Sequence, residues 1–107
     1  MTNQELGGNI VLSNFDMDNQ EMIVTKKIVG NYAKKIKNFH DYQELKLEMK
    51  VHNKGKTKKF EIKAMLLYGS NTASSEAIGF NPFVLINEVL EKVYKEVQHK
   101  VKKEQKG

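Results

Sequence analysis

The chain has 107 residues, which is enough for one domain with one hydrophobic core. It contains no cysteine and no apolar run of about 18 residues, which excludes disulfides, thiolate metal sites and membrane-spanning helices. The chain has 18 lysines and no arginine, and its formal net charge of +5 favours a polyanionic partner.

The first predicted elements are a short strand over residues 9–15 and a helix over about residues 19–38. Asp18 and Glu21 have the spacing of a capping box at the start of this helix. Gly30, in the helix interior, costs up to ~1 kcal/mol, so it indicates close packing or the close approach of a partner. The residues that repeat with the helical period and predict the core-facing side are Met22, Thr25, Val29, Tyr32, Ala33 and Ile36.

Two segments of strict alternation follow, and they predict an antiparallel hairpin. Residues 53–58 form the turn between them, in which Gly55 provides a positive φ. A third strand, made of small residues, is predicted over residues 72–79. The hairpin residues expected to face the core are Leu45, Leu47, Met49 and Val51, followed by Phe60, Ile62, Ala64 and Leu66.

The last predicted element is a helix with Asn81 as its cap and Pro82 at its first position, running to about Lys103. Its core-facing stripe consists of Phe83, Ile86, Leu90, Val93, Tyr94, Val97 and Val101. The order β-α-β-β-β-α predicts an α+β fold of two layers, with two helices packed on one face of a four-stranded mixed sheet. The first two strands flank a crossover helix, so we expect them to be parallel. We expect a single domain over residues 1–107, with an ordered core over about residues 9–103.

The lysines are concentrated in three blocks, at residues 26–37, 44–63 and 92–107. On each predicted helix they fall on an arc away from the apolar stripe, and acidic residues are scarce on both arcs. Two such arcs side by side would suit a phosphate backbone, although a lysine-rich helix face is often only solvated. Four lysines in and beside the hairpin turn could extend this basic surface or could keep the hairpin soluble, and turn chemistry favours solubility. They are Lys54, Lys56, Lys58 and Lys59. The candidate RNA-binding residues are Lys26, Lys27, Lys34, Lys37, Lys92, Lys95, His99, Lys102 and Lys103.

Sequence signals for catalysis are weak. His40, His52 and His99 do not have the spacing of metal ligands, and Ser74–Ser75 lacks the context of a nucleophile elbow. No glycine-rich phosphate loop follows a strand. We therefore expect no enzyme, metal, cofactor or small-molecule substrate, and the absence of cysteine fits a cytoplasmic protein.

The element order, together with "GNYAKKIKNF", "ELKLEMKV", "FEIKAML" and "NPFVLINEVLEKVYKEVQHKVKK", resembles the ribosome-hibernation-promoting factor family over about residues 9–103. The resemblance implies a β-α-β-β-β-α domain that docks on the small ribosomal subunit. Family members occupy the mRNA and tRNA channel there and silence translation in resting cells, as a stress response. The chain resembles a short-form member, and its acidic start leaves a divergent or archaeal branch open. The implied contacts to small-subunit rRNA are Lys34, Lys35, Lys37, Lys92, Lys95, His99, Lys100, Lys102 and Lys103.

Two other functions remain open from the sequence. A general double-stranded-RNA-binding module also combines a sheet with helices, but it carries a basic cluster at the start of its last helix. The last helix here starts with uncharged "NPFVLIN", which argues against that module. A protein-interaction domain whose lysines only increase solubility is the other alternative. The sequence does not determine the oligomeric state.

Overall fold

The computed structural model describes residues 3–105, and their side chains except those of residues 3–5, 54, 104 and 105. Its elements in chain order are β1 (Asn3–Glu5), β2 (Ile10–Ser13), α1 (Asn19–Lys37), β3 (Glu44–Lys54), β4 (Thr57–Tyr68), β5 (Asn71–Gly79) and α2 (Pro82–Gln105). The predicted α+β fold and the order β-α-β-β-β-α are confirmed from β2 to α2. The ends of the predicted 1–107 domain lie outside the described residues.

The sheet follows the order β1-β2-β3-β4-β5. Strands β2 and β3 are parallel and joined through α1, as predicted, and β3, β4 and β5 are successively antiparallel. The predicted four-stranded mixed sheet is therefore present as β2 to β5. Strand β1 extends it at one edge by pairing antiparallel with β2, and it was not predicted, because three residues are too few to show an alternating pattern.

The core lies between the sheet and the two helices. Alternate residues of each strand face the helices, because successive side chains of a strand point to opposite faces. The buried residues on the sheet side include Leu12, Leu45, Leu47, Met49, Ile62, Ala64, Leu66 and Ala73. The buried residues on the helix side include Met22, Val29, Ala33, Ile36, Leu85, Ile86, Val89, Leu90, Val93 and Val97. Each large aliphatic side chain buried in this way contributes about 1.5–3 kcal/mol.

The β3–β4 hairpin projects beyond its neighbours. The pairing of β2 with β3 ends at Glu48, and that of β5 with β4 ends at Phe60, so the last pairs of the hairpin have no third strand. We call residues 52–59 the hairpin tip. Val51, which was predicted to face the core, is 36% exposed, because the packed layers end before it. The turn is shorter than predicted, with Gly55 at a φ of 63° and Lys56 as its two residues.

Both predicted helix starts are confirmed. The Asp18 carboxylate accepts from the backbone N–H of Glu21 at 2.8 Å, and Glu21 Oε1 accepts from the backbone N–H of Asp18 at 3.0 Å. This reciprocal pair satisfies two donors that the first turn of α1 leaves free. Asn81 Oδ1 accepts from the backbone N–H of Phe83 at 3.0 Å at the start of α2. Neither helix, over its described residues, is apolar enough along its length to cross a membrane.

Candidate nucleic-acid interface

The two helices run in the same direction. Helix α1 connects the end of β2 to the start of its parallel neighbour β3, so it runs antiparallel to both. Strand β5 is parallel to β3, because both pair antiparallel with β4. Helix α2 follows β5 and runs back along the sheet, antiparallel to β5. The lysine-rich C-terminal halves of both helices therefore lie at the same end of the sheet, opposite the hairpin tip. Lysines there also interact favourably with the C-terminal ends of the helix dipoles.

Aromatic rings fill the line along which α1 and α2 meet, which we call the seam. The ring centroid of Tyr94 lies 6.4 Å from that of Tyr32 and 5.8 Å from that of Phe39, and both pairs pack edge to face. The Tyr32 hydroxyl donates a hydrogen bond to Glu91 Oε1 at 2.8 Å. Because the seam is filled, the outer sides of α1 (Asn19–Lys37) and α2 (Pro82–Gln105) form one broad surface without a deep groove between them. We call this surface the helix face.

Burial raises the pKa of Tyr32 to about 12, and the hydrogen bond to Glu91 and the negative charge of that carboxylate add to the effect. Its hydroxyl therefore stays protonated into the alkaline range, and it donates to Glu91 there as it does at neutral pH. The neighbouring Lys35 ammonium lies 5.0 Å from the Tyr32 ring centroid and 5.9 Å from that of Tyr94. This cation–π contact holds Lys35 at the seam.

The four candidate lysines of α1 are all exposed, and no ion pair involves them in the part of the chain that the structure describes. Helical geometry places them about 120° or more around the axis from Tyr32, away from the seam. They are Lys26, Lys27, Lys34 and Lys37. This side of α1 therefore carries positive charge that no nearby carboxylate neutralises.

The candidate residues of α2 are exposed too, but two of them are paired. Lys92 Nζ lies 3.7 Å from Glu88, and Lys95 Nζ lies 3.9 Å from Glu91, each one turn earlier in the helix. The prediction that acidic residues are scarce was therefore wrong for α2, because i,i+4 partners share a helix face. Exposed pairs of this kind are worth little, about 0.3–0.5 kcal/mol, so both ammonium groups can exchange to phosphate.

The candidate residues of α2 also diverge in direction. Lys95 and Lys102 lie within about 100° of Tyr94 around the axis, on the outer side near α1. Lys92, His99 and Lys103 lie at about 140° or more, on the side towards β5. His99 and Lys103 line a shallow cavity of about 250 Å³ together with Tyr68, Asn71, Thr72, Glu96 and Lys100. The nine predicted residues are thus spread across the helix layer and its β5 flank.

Gly30 lies on the exposed arc of the α1 lysines, one turn from Lys26 and Lys34. Apart from its chain neighbours and the adjacent backbone of α1, a Cβ atom added there would meet no atom within 4 Å, so packing against another element does not explain this glycine. The approach of a partner to the helix backbone stays a prediction.

The outer face of the sheet has a different charge distribution. Lys63 Nζ lies 4.0 Å from Glu61 and 3.9 Å from Glu76, and His52 Nε2 lies 3.2 Å from Glu61. Opposite charges alternate there, so the positive surplus of the described chain falls on the helix face and on the hairpin tip.

Known proteins resemble this chain in structure rather than in sequence. Neither the models of known protein families nor curated protein sequences match it. Among solved structures, it is similar to the N-terminal domain of Thermus thermophilus Protein Y, with a TM-score of 0.53 and 14% identity. The match covers 84% of this chain and 92% of that domain. At this level of identity, the likeness establishes the fold that the two share.

Proposed function

We propose that this protein binds the small ribosomal subunit through the helix face and inhibits translation by occupying the mRNA and tRNA channel. The observation that carries the proposal is the group of uncompensated α1 lysines, of which Lys34 and Lys37 lie at the end of the sheet where Lys95 and Lys102 of α2 also lie. Two further points support it. The sequence resembles ribosome-hibernation-promoting factors, and the fold is similar to that of the Protein Y domain.

The proposed mechanism is exclusion and needs no chemical step. The packed helix layer is a rigid surface, and its lysines are point charges that bind phosphate without reading bases. Affinity then comes from phosphate contacts with the release of counterions, and specificity comes from the shape of the rRNA site. We expect a cytoplasmic protein that joins ribosomes in resting cells.

A co-sedimentation experiment with purified small subunits tests the role of the helix face. We expect the double variant Lys34→Gln/Lys95→Gln to bind about tenfold or more weakly at moderate salt, because two phosphate contacts are lost. The matched control is Lys46→Gln/Lys63→Gln, which removes the same charge from the outer face of the sheet. An equal loss in both variants would show that only net charge matters, and no loss in either would refute the helix face as the contact.

A second comparison separates ribosome binding from general RNA binding. We expect the wild-type protein to bind small subunits much more tightly than a plain RNA duplex at the same salt, and to block mRNA loading onto those subunits. Equal affinity for both would favour a double-stranded-RNA-binding module. In gradients of lysate from starved cells, the protein should migrate with small subunits or whole ribosomes.

A further inference from the structure

An open groove lies on the outer face of the sheet, beside the hairpin tip. It has a volume of about 530 Å³ and is lined by His52, Thr57, Lys59, Glu61, Ile78 and Phe80. The strand residues among them face away from the helices, because they alternate with the buried positions, and Phe80 follows directly after β5 on the same side. The groove therefore differs from the helix face in both layer and end of the molecule.

Two large apolar side chains of the groove are exposed to solvent. Ile78 is 55% exposed on β5, and Phe80, just beyond the end of that strand, is 65% exposed. Single exposed apolar residues are common, but two neighbours in one concave site form a patch that a ligand can cover. Lys59 Nζ lies 5.9 Å from the centroid of the Phe80 ring, so the patch has a cation at its side.

The charge around this patch is positive. Lys59 in the groove and Lys56 in the adjacent turn are exposed, and no ion pair involves them in the described residues. The acidic residue of the groove, Glu61, is already paired with His52 at 3.2 Å and with Lys63 at 4.0 Å. A polyanion is therefore the ligand whose charge complements this end of the molecule.

We propose that this groove binds an unpaired base of single-stranded RNA, which stacks on Phe80 while the adjacent phosphates contact Lys59 and Lys56. An exposed aromatic ring among lysines is the combination that single-strand-binding proteins use, because every base has a π-face and every linkage a phosphate. Bases within a duplex have both faces covered by their neighbours, so the site selects single strands. The proposal goes beyond ribosome binding and does not rest on the helix face.

The chain has no tryptophan, so the variant Phe80→Trp provides a single fluorescent reporter in the groove. We expect a short oligouridylate to quench this fluorescence by stacking, and an abasic oligonucleotide with the same number of phosphates to leave it unchanged. The matched control is Val84→Trp, because Val84 is similarly exposed, at 56%, but does not line the groove. Equal quenching by the abasic strand, or equal quenching of both reporters, would overturn the proposal.

Affinity measurements test the same site without a reporter. We expect Phe80→Leu, which keeps an apolar side chain but removes the ring, to weaken oligouridylate binding by about five- to hundredfold. Phe80 is mostly exposed, so this variant should fold normally, and circular dichroism checks that. Quenching of the Phe80→Trp reporter should persist in a Lys34→Gln/Lys95→Gln background, which separates this site from the helix face. Unchanged affinity in Phe80→Leu, or loss of quenching in that background, would refute an independent site.

Discussion

Tyr32 donates a hydrogen bond to Glu91 across the seam at 2.8 Å, and the other oxygen of the same carboxylate lies 3.9 Å from Lys95 Nζ. Glu91 thus joins a half-buried tyrosine on α1 to an exposed lysine on α2. The packing of the two helices therefore positions the carboxylate that pairs with Lys95, one of the candidate RNA-binding residues.

The seam should weaken in alkali. The pKa of Tyr32 is raised from 10.0 in the unfolded chain to about 12 in the folded protein, so the folded state binds its proton more tightly. The resulting stability is fully present below pH 10 and is lost as the pH rises through about 12. Urea unfolding over that range should show a decline that is smaller in Tyr32→Phe. Because lysines also titrate in this range, an identical decline in both proteins would contradict the prediction.

Replacing Gly30 with alanine should stabilise the protein and impair its function. The added Cβ meets no atom of another element within 4 Å, so we expect the free energy of unfolding to rise by about 0.5–1 kcal/mol. The same methyl group would keep an RNA backbone from approaching α1, and co-sedimentation with small subunits should weaken several-fold. A stabilised variant that binds as well as the wild type would show that no partner approaches this position.

Removing the cap of α1 should affect stability alone. We expect Asp18→Ala to lower the free energy of unfolding by about 1 kcal/mol, because the backbone N–H of Glu21 loses its acceptor. Asp16→Ala is the matched control, since it removes the same charge from an exposed residue outside the capping box. Ribosome binding of both variants should equal that of the wild type at temperatures where they are folded. Equal stability of the two variants would contradict this account.

The lysines of the two helices should differ in how they contribute to salt dependence. We expect Lys34→Ala to reduce the slope of log affinity against log salt by about 1, because a free ammonium loses its phosphate contact. Lys92→Ala should reduce it less, since Glu88 lies 3.7 Å from that ammonium and already competes for it. Titration of small-subunit binding at several salt concentrations provides both slopes. A larger reduction in Lys92→Ala would reverse the ranking that we infer from the pairing.

The sequence was informative where a local pattern determines the structure. Alternation predicted the burial of Leu45, Leu47 and Met49, and the caps at Asp18 and Asn81 are confirmed. The sequence did not predict features that depend on segments far apart in the chain. Val51 continues the alternation, but its burial depends on how far the neighbouring layers extend.

The contacts across the seam show the same limit. A helical period places Tyr32 on one side of α1, but it does not indicate that Glu91, on another helix, lies opposite it. The pairing of Lys92 with Glu88 was different, because their i,i+4 spacing is visible in the sequence. That signal was available and was missed. The groove at Phe80 had no such signal, because it combines residues from three strands and the segment after them.

The topology of the sheet also has a consequence for the route of folding. Strands β3, β4 and β5 form a meander whose two connections are two-residue turns, so their pairing needs little loop closure. The parallel pairing of β2 with β3 closes a much longer loop, which contains the whole of α1. We expect the meander to acquire hydrogen-exchange protection early during refolding and β2 to follow it. Folding would then begin at the strands that carry the hairpin and end with the docking of α1, which completes the helix face.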